Sequence, residues 1–201
     1  MSKEGVDLGR RRFLTATASV VGGAGAVAAA IPFVSYMMPS ARARAAGAPV
    51  EADISKLEFG QLMRVKWRGQ PVWVLRRSRE SLDELASLND ILADPDSNVE
   101  DMQPAYAKNA TRSIKPEYLI AVGICTHLGC SPTYVEKIAA DTYNLGDEWK
   151  GGFFCPCHGS RFDLAGRVYA GVPAQTNLKI PPHRYLSDTV VLIGEDNIGA
   201  A

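Results

Sequence analysis

Twenty-nine consecutive positions, Phe13 to Ala41, carry no charge, and Ala, Gly and Val fill most of them. As one helix they would reach about 43 Å at roughly 1.5 Å per residue, more than the ~30 Å hydrocarbon core of a bilayer. The expectation is a transmembrane anchor over residues 13–39. A buried helix of a soluble protein is the bland alternative, but few such helices run so long uncharged. Gly22, Gly23 and Gly25 would let a neighbouring helix approach closely. Pro32 is expected to kink or end the first helical part. From Ser40 to Pro49 no large apolar residue appears, so this stretch reads as a flexible hinge over 40–49, its alanines favouring a transient helix.

Beyond Val50 the apolar positions take on strand character. Leu62–Trp67 and Val72–Leu75 flank Arg68-Gly69-Gln70-Pro71, which predicts a hairpin. Ser81-Leu82-Asp83-Glu84 matches a capping box, with Leu82, Leu85, Leu88, Ile91 and Leu92 following at helical spacing. Residues 94–116 are polar and loop-like. Strands are expected at Tyr118–Ile124 and, as one last strand, at Tyr185–Ile193. The fold class predicted is mainly β, an antiparallel β-sandwich head behind an N-terminal transmembrane helix.

Composition narrows the function. Lys and Arg total 22, Asp and Glu total 22, and the formal net charge is zero, which argues against a nucleic-acid partner. The charge is unevenly placed. Residues 1–12 carry a net +2, and residues 50–201 hold 16 basic and 20 acidic side chains, a net of −4. All four cysteines, and two of the three histidines, lie between Cys125 and His158.

Those residues form two boxes, Cys125-Thr126-His127-Leu128-Gly129-Cys130 and Cys155-Pro156-Cys157-His158-Gly159-Ser160. Each supplies a thiol and an imidazole close enough in sequence to grip one site. Two thiolates and two imidazoles are the ligand inventory of a Rieske [2Fe–2S] centre, in which two His replace two Cys on one iron. A structural zinc site could use the same residue types, but would more usually show Cys-x-x-Cys pairs and needs only four of these six candidates. A thioredoxin-like redox pair needs Cys-x-x-Cys, which is absent. His183, after Pro181-Pro182, reads as a surface histidine, and Trp67, Trp73 and Trp149 as packing residues.

The double box resembles the Rieske iron–sulfur subunit of the bacterial cytochrome bc complex. Arg10-Arg11-Arg12-Phe13-Leu14 resembles the twin-arginine export signal, which places residues 1–12 in the cytoplasm and the head, 50–201, in the periplasm. The small residues of Ala43-Arg44-Ala45 also suit signal-peptidase cleavage, but an uncleaved single-pass anchor in the bacterial inner membrane is preferred.

The resemblance implies one [2Fe–2S] cluster, with Cys125 and Cys155 on the buried iron and His127 and His158 on the exposed one. It further implies a Cys130–Cys157 disulfide, a cluster-binding subdomain at about 123–175, and quinol contact through His158. Ser160 matches a serine that donates to a bridging sulfide, and Leu128, Gly129 and Pro173 surround the cofactor. The implied partners are a cytochrome b subunit, a membrane-bound c-type cytochrome and ubiquinol, within a dimeric respiratory complex. Two departures stand out. Many members carry a tyrosine where this chain has Phe162, and the family's proline-rich loop appears as Gly171-Val172-Pro173-Ala174-Gln175. The rival reading is the Rieske small subunit of another exported oxidoreductase, such as arsenite oxidase. The long 78–116 segment and the 27 residues between His127 and Cys155 argue against it.

Overall fold

A computed structural model of the chain describes residue 5 and residues 7–196. Positions 1–4 and 6 of the expected cytoplasmic segment, and 197–201 of the head, lie outside the described residues. The chain divides into two compact units, residues 1–45 and 46–201.

In the first unit, helix α1 spans Leu8–Met37, 30 residues, and none of them is buried. Asp7 caps it, its side chain accepting from the Gly9 and Arg10 amides at 3.0 and 3.1 Å. The helix thus starts before the twin arginines and is long and apolar enough to cross a membrane. Of the two outcomes expected at Pro32, a kink or an end, the helix does not end there. The proline's missing amide forfeits a single i→i−4 bond. Thr15 and Ser35 return their hydroxyls to carbonyls one turn back, at 2.9 and 2.7 Å, and so add no unpaired polar group. A short helix α2, Ala41–Ala46, occupies the expected hinge, its Ser40 hydroxyl accepting from the Ala43 amide.

The second unit is built from three antiparallel sheets of three strands. The central one joins β2 (Leu62–Trp67), β3 (Gln70–Arg76) and β4 (Tyr118–Val122). The β2–β3 turn is only Arg68-Gly69, both at positive φ (50° and 78°), as a two-residue hairpin of this twist requires. Pro71 therefore lies inside the strand rather than in the turn.

Along β3, Val72 and Val74 face one core and Trp73 and Leu75 the other; β4 divides in the same way. Both faces are covered, which is why these strands read as unbroken apolar runs. One face packs on the second sheet, formed by β1 (Val50–Asp53), β9 (Val190–Ile193) and β8 (His183–Tyr185), through Ala52, Ile54, Val191 and Ile193. The single strand expected over 185–193 is in fact this β8–β9 hairpin, turned at Leu186–Thr189. The other face packs on the third sheet, β5 (Thr133–Val135), β6 (Gly152–Phe154) and β7 (Arg161–Asp163). Trp73 stacks on Phe153 across that seam, ring centroids 4.7 Å apart. Among the described residues no sheet closes into a barrel.

Helix α3, Arg79–Glu84, starts three residues earlier than the capping-box reading. Ser78 is its cap, accepting from the Ser81 amide at 3.2 Å, and the chain continues as a 3₁₀ helix through Leu85–Ile91. The 94–116 loop is irregular as expected, yet firmly held. Arg77 donates to the carbonyls of Thr111, Pro116 and Leu164, and Arg112 to those of Ala165 and Gly166. Arg167 pairs with Asp163 at 2.7 Å. Arg77 and Arg112 thus stitch the loop to the 163–167 turn, and Arg167, donating also to Leu85 O and Asn89 Oδ1, ties that turn to the 3₁₀ segment.

His183 is a correction. It is 1% exposed, not a surface residue, and its Nδ1 lies 2.8 Å from the Pro181 carbonyl. The Tyr106 hydroxyl accepts from its amide, and the Tyr106 ring meets its imidazole edge-on.

Candidate metal centre

The two boxes fold into the same turn. Cys125 N donates to Cys130 O (2.7 Å) and Gly129 N to Cys125 O (3.1 Å). Cys155 N donates to Ser160 O (2.8 Å) and Gly159 N to Cys155 O (2.9 Å). Both closures need a left-handed residue at the fifth position, and Gly129 (φ 84°) and Gly159 (φ 78°) supply it. The repeated spacing Cys-x₃-Gly-[Cys/Ser] was visible in the sequence, but reading the boxes for ligands alone passes over it.

Each turn buries its first cysteine and lifts its histidine. Cys125 and Cys155 are free thiols, each 2% exposed and buried in the same core. Burial, more than the neighbouring Cys125 sulfur, pushes the Cys155 thiol up. A nearby cation reverses that preference, because a coordinated thiol loses its proton. Above them the His127 and His158 rings cross at 88° with centroids 4.8 Å apart, His127 half-buried and His158 exposed. Cys130 and Cys157 form a disulfide that ties the tips of the two turns, with the Cys155 sulfur within 4.8 Å of both its sulfurs. Leu128, 71% exposed, stands at the same tip.

A third segment, 171–176, binds both boxes. The Thr126 hydroxyl donates to Thr176 O at 2.7 Å, and the Ser160 hydroxyl, fully buried, accepts from Ala174 N at 3.0 Å. The Ser160 proton stays free to donate elsewhere. Pro173 is exposed and lines a groove with His158. Phe162 is fully buried in the core that holds Cys125 and Cys155.

The family model for the Rieske [2Fe–2S] domain matches residues 49–182, and one described as "Ubiquitinol-cytochrome C reductase Fe-S subunit TAT signal" matches residues 1–40. A ubiquinol–cytochrome c reductase iron–sulfur subunit of Allochromatium vinosum is 66% identical, over 98% of this chain and 93% of that protein. The chain belongs to the Rieske iron–sulfur subunits of ubiquinol–cytochrome c reductase.

The subunit of the same description from Bradyrhizobium diazoefficiens is 41% identical, over 92% of this chain and 94% of that one. A solved chain described as "Hyperthermophilic respiratory Complex III" is 25% identical, covers 88% of this chain and 98% of its own, and aligns with a TM-score of 0.46. The donor set of this Rieske subunit fits a [2Fe–2S] cofactor, since it pairs two adjacent buried thiols with two imidazoles at the surface. The ties from Thr126 and Ser160 to the third segment escaped the sequence, because they join residues 50 and 14 positions apart.

Proposed function

We propose that this chain is the electron-carrying subunit of a ubiquinol–cytochrome c reductase, passing electrons from ubiquinol to a c-type cytochrome. The observation that carries the reading is the crossed His127–His158 pair at an exposed tip, above two buried thiols and clamped by a disulfide. Cys125 and Cys155 would hold one iron, and His127 and His158 the other. The [2Fe–2S] group, when bound, supplies a one-electron store whose charge sets the basicity of its imidazoles.

The protein does the rest. The exposed ring of His158 accepts a hydrogen bond, and then the proton, from the quinol hydroxyl. Leu128 offers that lipid-soluble reductant an apolar wall. The Ser160 hydroxyl, whose oxygen accepts from Ala174 N, would have its proton left to donate to cluster sulfur, which would favour the reduced, more negative state. Ring-bound protons leave again once the electron has moved on, so charge is not accumulated at the tip. The Rieske subdomain at about 123–175 thus serves as the tip of the head.

The same reading places α1 across the bacterial inner membrane, the head in the periplasm, and the chain beside cytochrome b and a membrane-bound c-type cytochrome in a dimeric complex. The 40–49 linker is the hinge that carries the head between them. A six-residue helix is marginal by itself, and melting α2 lengthens the linker by about 11 Å, from ~1.5 to ~3.3 Å per residue. Replacing 41–46 by a stiff proline run should slow quinol-dependent cytochrome c reduction while leaving the cluster spectrum intact. Unimpaired turnover would refute the hinge.

EPR spectroscopy of the ascorbate-reduced protein tests the whole reading. The expected result is the rhombic, low-average-g signal of mixed Cys/His ligation, lost in His158→Ser. An EPR-silent protein that binds zinc would overturn it.

A further inference from the structure

Beside His158 runs a groove of about 390 Å³, whose lining includes Tyr143, Asn144, Arg161 and Pro173. Its lining holds no carboxylate. Arg161 is half-buried and has no ion-pair partner among the described residues. The nearest acid along the strand, Asp163, is taken by Arg167. The Arg161 guanidinium lies instead over the ring of Tyr169, 5.2 Å from its centroid, and Tyr169 in turn stacks on the buried Trp149. Its backbone is pinned on both sides, by Phe154 across the β6–β7 pairing and by the Tyr169 amide at 3.1 Å. The side chain is thus a cation held in place beside the groove it shares with the exposed imidazole, with no counter-ion among the described residues.

We propose that Arg161 binds a carboxylate of the electron-accepting cytochrome when the head docks on it, an inference that rests on the function proposed above. Any partner that meets His158 also covers this groove. Ubiquinol is uncharged and gives a guanidinium nothing to pair with. A c-type cytochrome carries carboxylates both on its surface and as the propionates of its haem, the group the electron must reach. On a head with a net charge of −4, a lone cation at the tip orients the encounter rather than merely attracting the partner.

The test uses the assembled complex, pre-reduced, with the rate of cytochrome c subunit reduction followed across ionic strength in Arg161→Gln, Arg161→Lys and Arg161→Glu. Loss of the contact should slow Arg161→Gln several-fold at low salt and flatten its salt dependence. Arg161→Lys should recover most of the rate, and in Arg161→Glu added salt should speed the reaction instead of slowing it. The EPR signal, the midpoint potential and the KM for quinol should stay as in the unaltered protein. Arg161→Gln with an unaltered rate and salt profile would overturn the proposal. So would a raised quinol KM, which would assign Arg161 to the quinol side, or a lost EPR signal in both Gln and Lys variants, which would make it structural. A missing EPR signal in the unaltered complex would instead defeat the functional reading itself.

Discussion

Replacing Cys130 and Cys157 by serine removes the covalent tie between the two cluster turns. The bond closes a loop of 28 residues, 27 positions of separation plus one. Chain entropy then assigns it about 3.6 kcal/mol of stability at 25 °C, close to a 400-fold change in the unfolding equilibrium. Among the protein's own groups, what remains between the turns is indirect, the Thr126–Thr176 and Ser160–Ala174 hydrogen bonds to the third segment. Those are worth about 1 kcal/mol each and cannot replace the clamp. With a urea m-value of about 2–3 kcal/mol/M, the unfolding midpoint should fall by roughly 1.2–1.8 M. Urea titration of the detergent-solubilised chain reads this twice. Fluorescence of the buried Trp67, Trp73 and Trp149 reports the core, and visible absorbance reports the cofactor. Both transitions should move together, and the unaltered protein under strong reductant should match the variant. A midpoint shift below about 0.3 M would show that the third segment, not the disulfide, holds the turns in register.

Ser160→Ala should lower the midpoint potential, and it should also cost about 1–3 kcal/mol by leaving the buried Ala174 amide unpaired; redox titration and urea unfolding check the two effects, and an unchanged potential would remove Ser160 from the cluster's surroundings. Gly123→Ala would set a methyl 2.3 Å from the Trp73 ring, which is locked against Phe153, so more than 1 Å of movement must come from the strand leading into Cys125. That variant should lose about 1–3 kcal/mol and bind less cofactor, measured as iron per chain; full occupancy would refute the tight seam. Burial holds the His183 pKa below its ordinary value, so the unfolded chain takes up a proton first as pH falls below about 6.5, and stability present above that pH is lost downward. Thermal unfolding should therefore worsen from pH 7 to pH 5, and His183→Gln should flatten that slope; an equal slope would assign it to other groups.

The runs at 72–75 and 118–122 could be read from the chain because strands buried on both faces select apolar residues at every position, and 62–67 because exposed Arg64 and Lys66 alternate with its apolar residues. The start of α3 could not be read so well. Ser78 and Ser81 are both plausible caps by residue type, and the choice falls to Ser78, whose side chain alone closes on the amide three residues on. The 185–193 stretch looked like one strand because its turn, Leu186–Thr189, lacks a glycine or proline to mark it.

Ligand chemistry is local, so the candidate donors Cys125, His127, Cys155 and His158, and the uncharged run 13–41, could be read from the sequence by itself. A thiol and an imidazole two or three residues apart can serve one site whatever the rest of the chain does. Partnership across the chain is different. His183 is buried because Tyr106, 77 positions earlier, meets it, and Arg77 is satisfied by a carbonyl 87 positions away. Four cysteines allow three pairings, and the packing that buries Cys125 and Cys155 while joining Cys130 to Cys157 is a property of the folded seam between sheets. Contacts of that range carry no spacing signal, since they depend on where loop closure brings the backbone, and only the tertiary structure decides that.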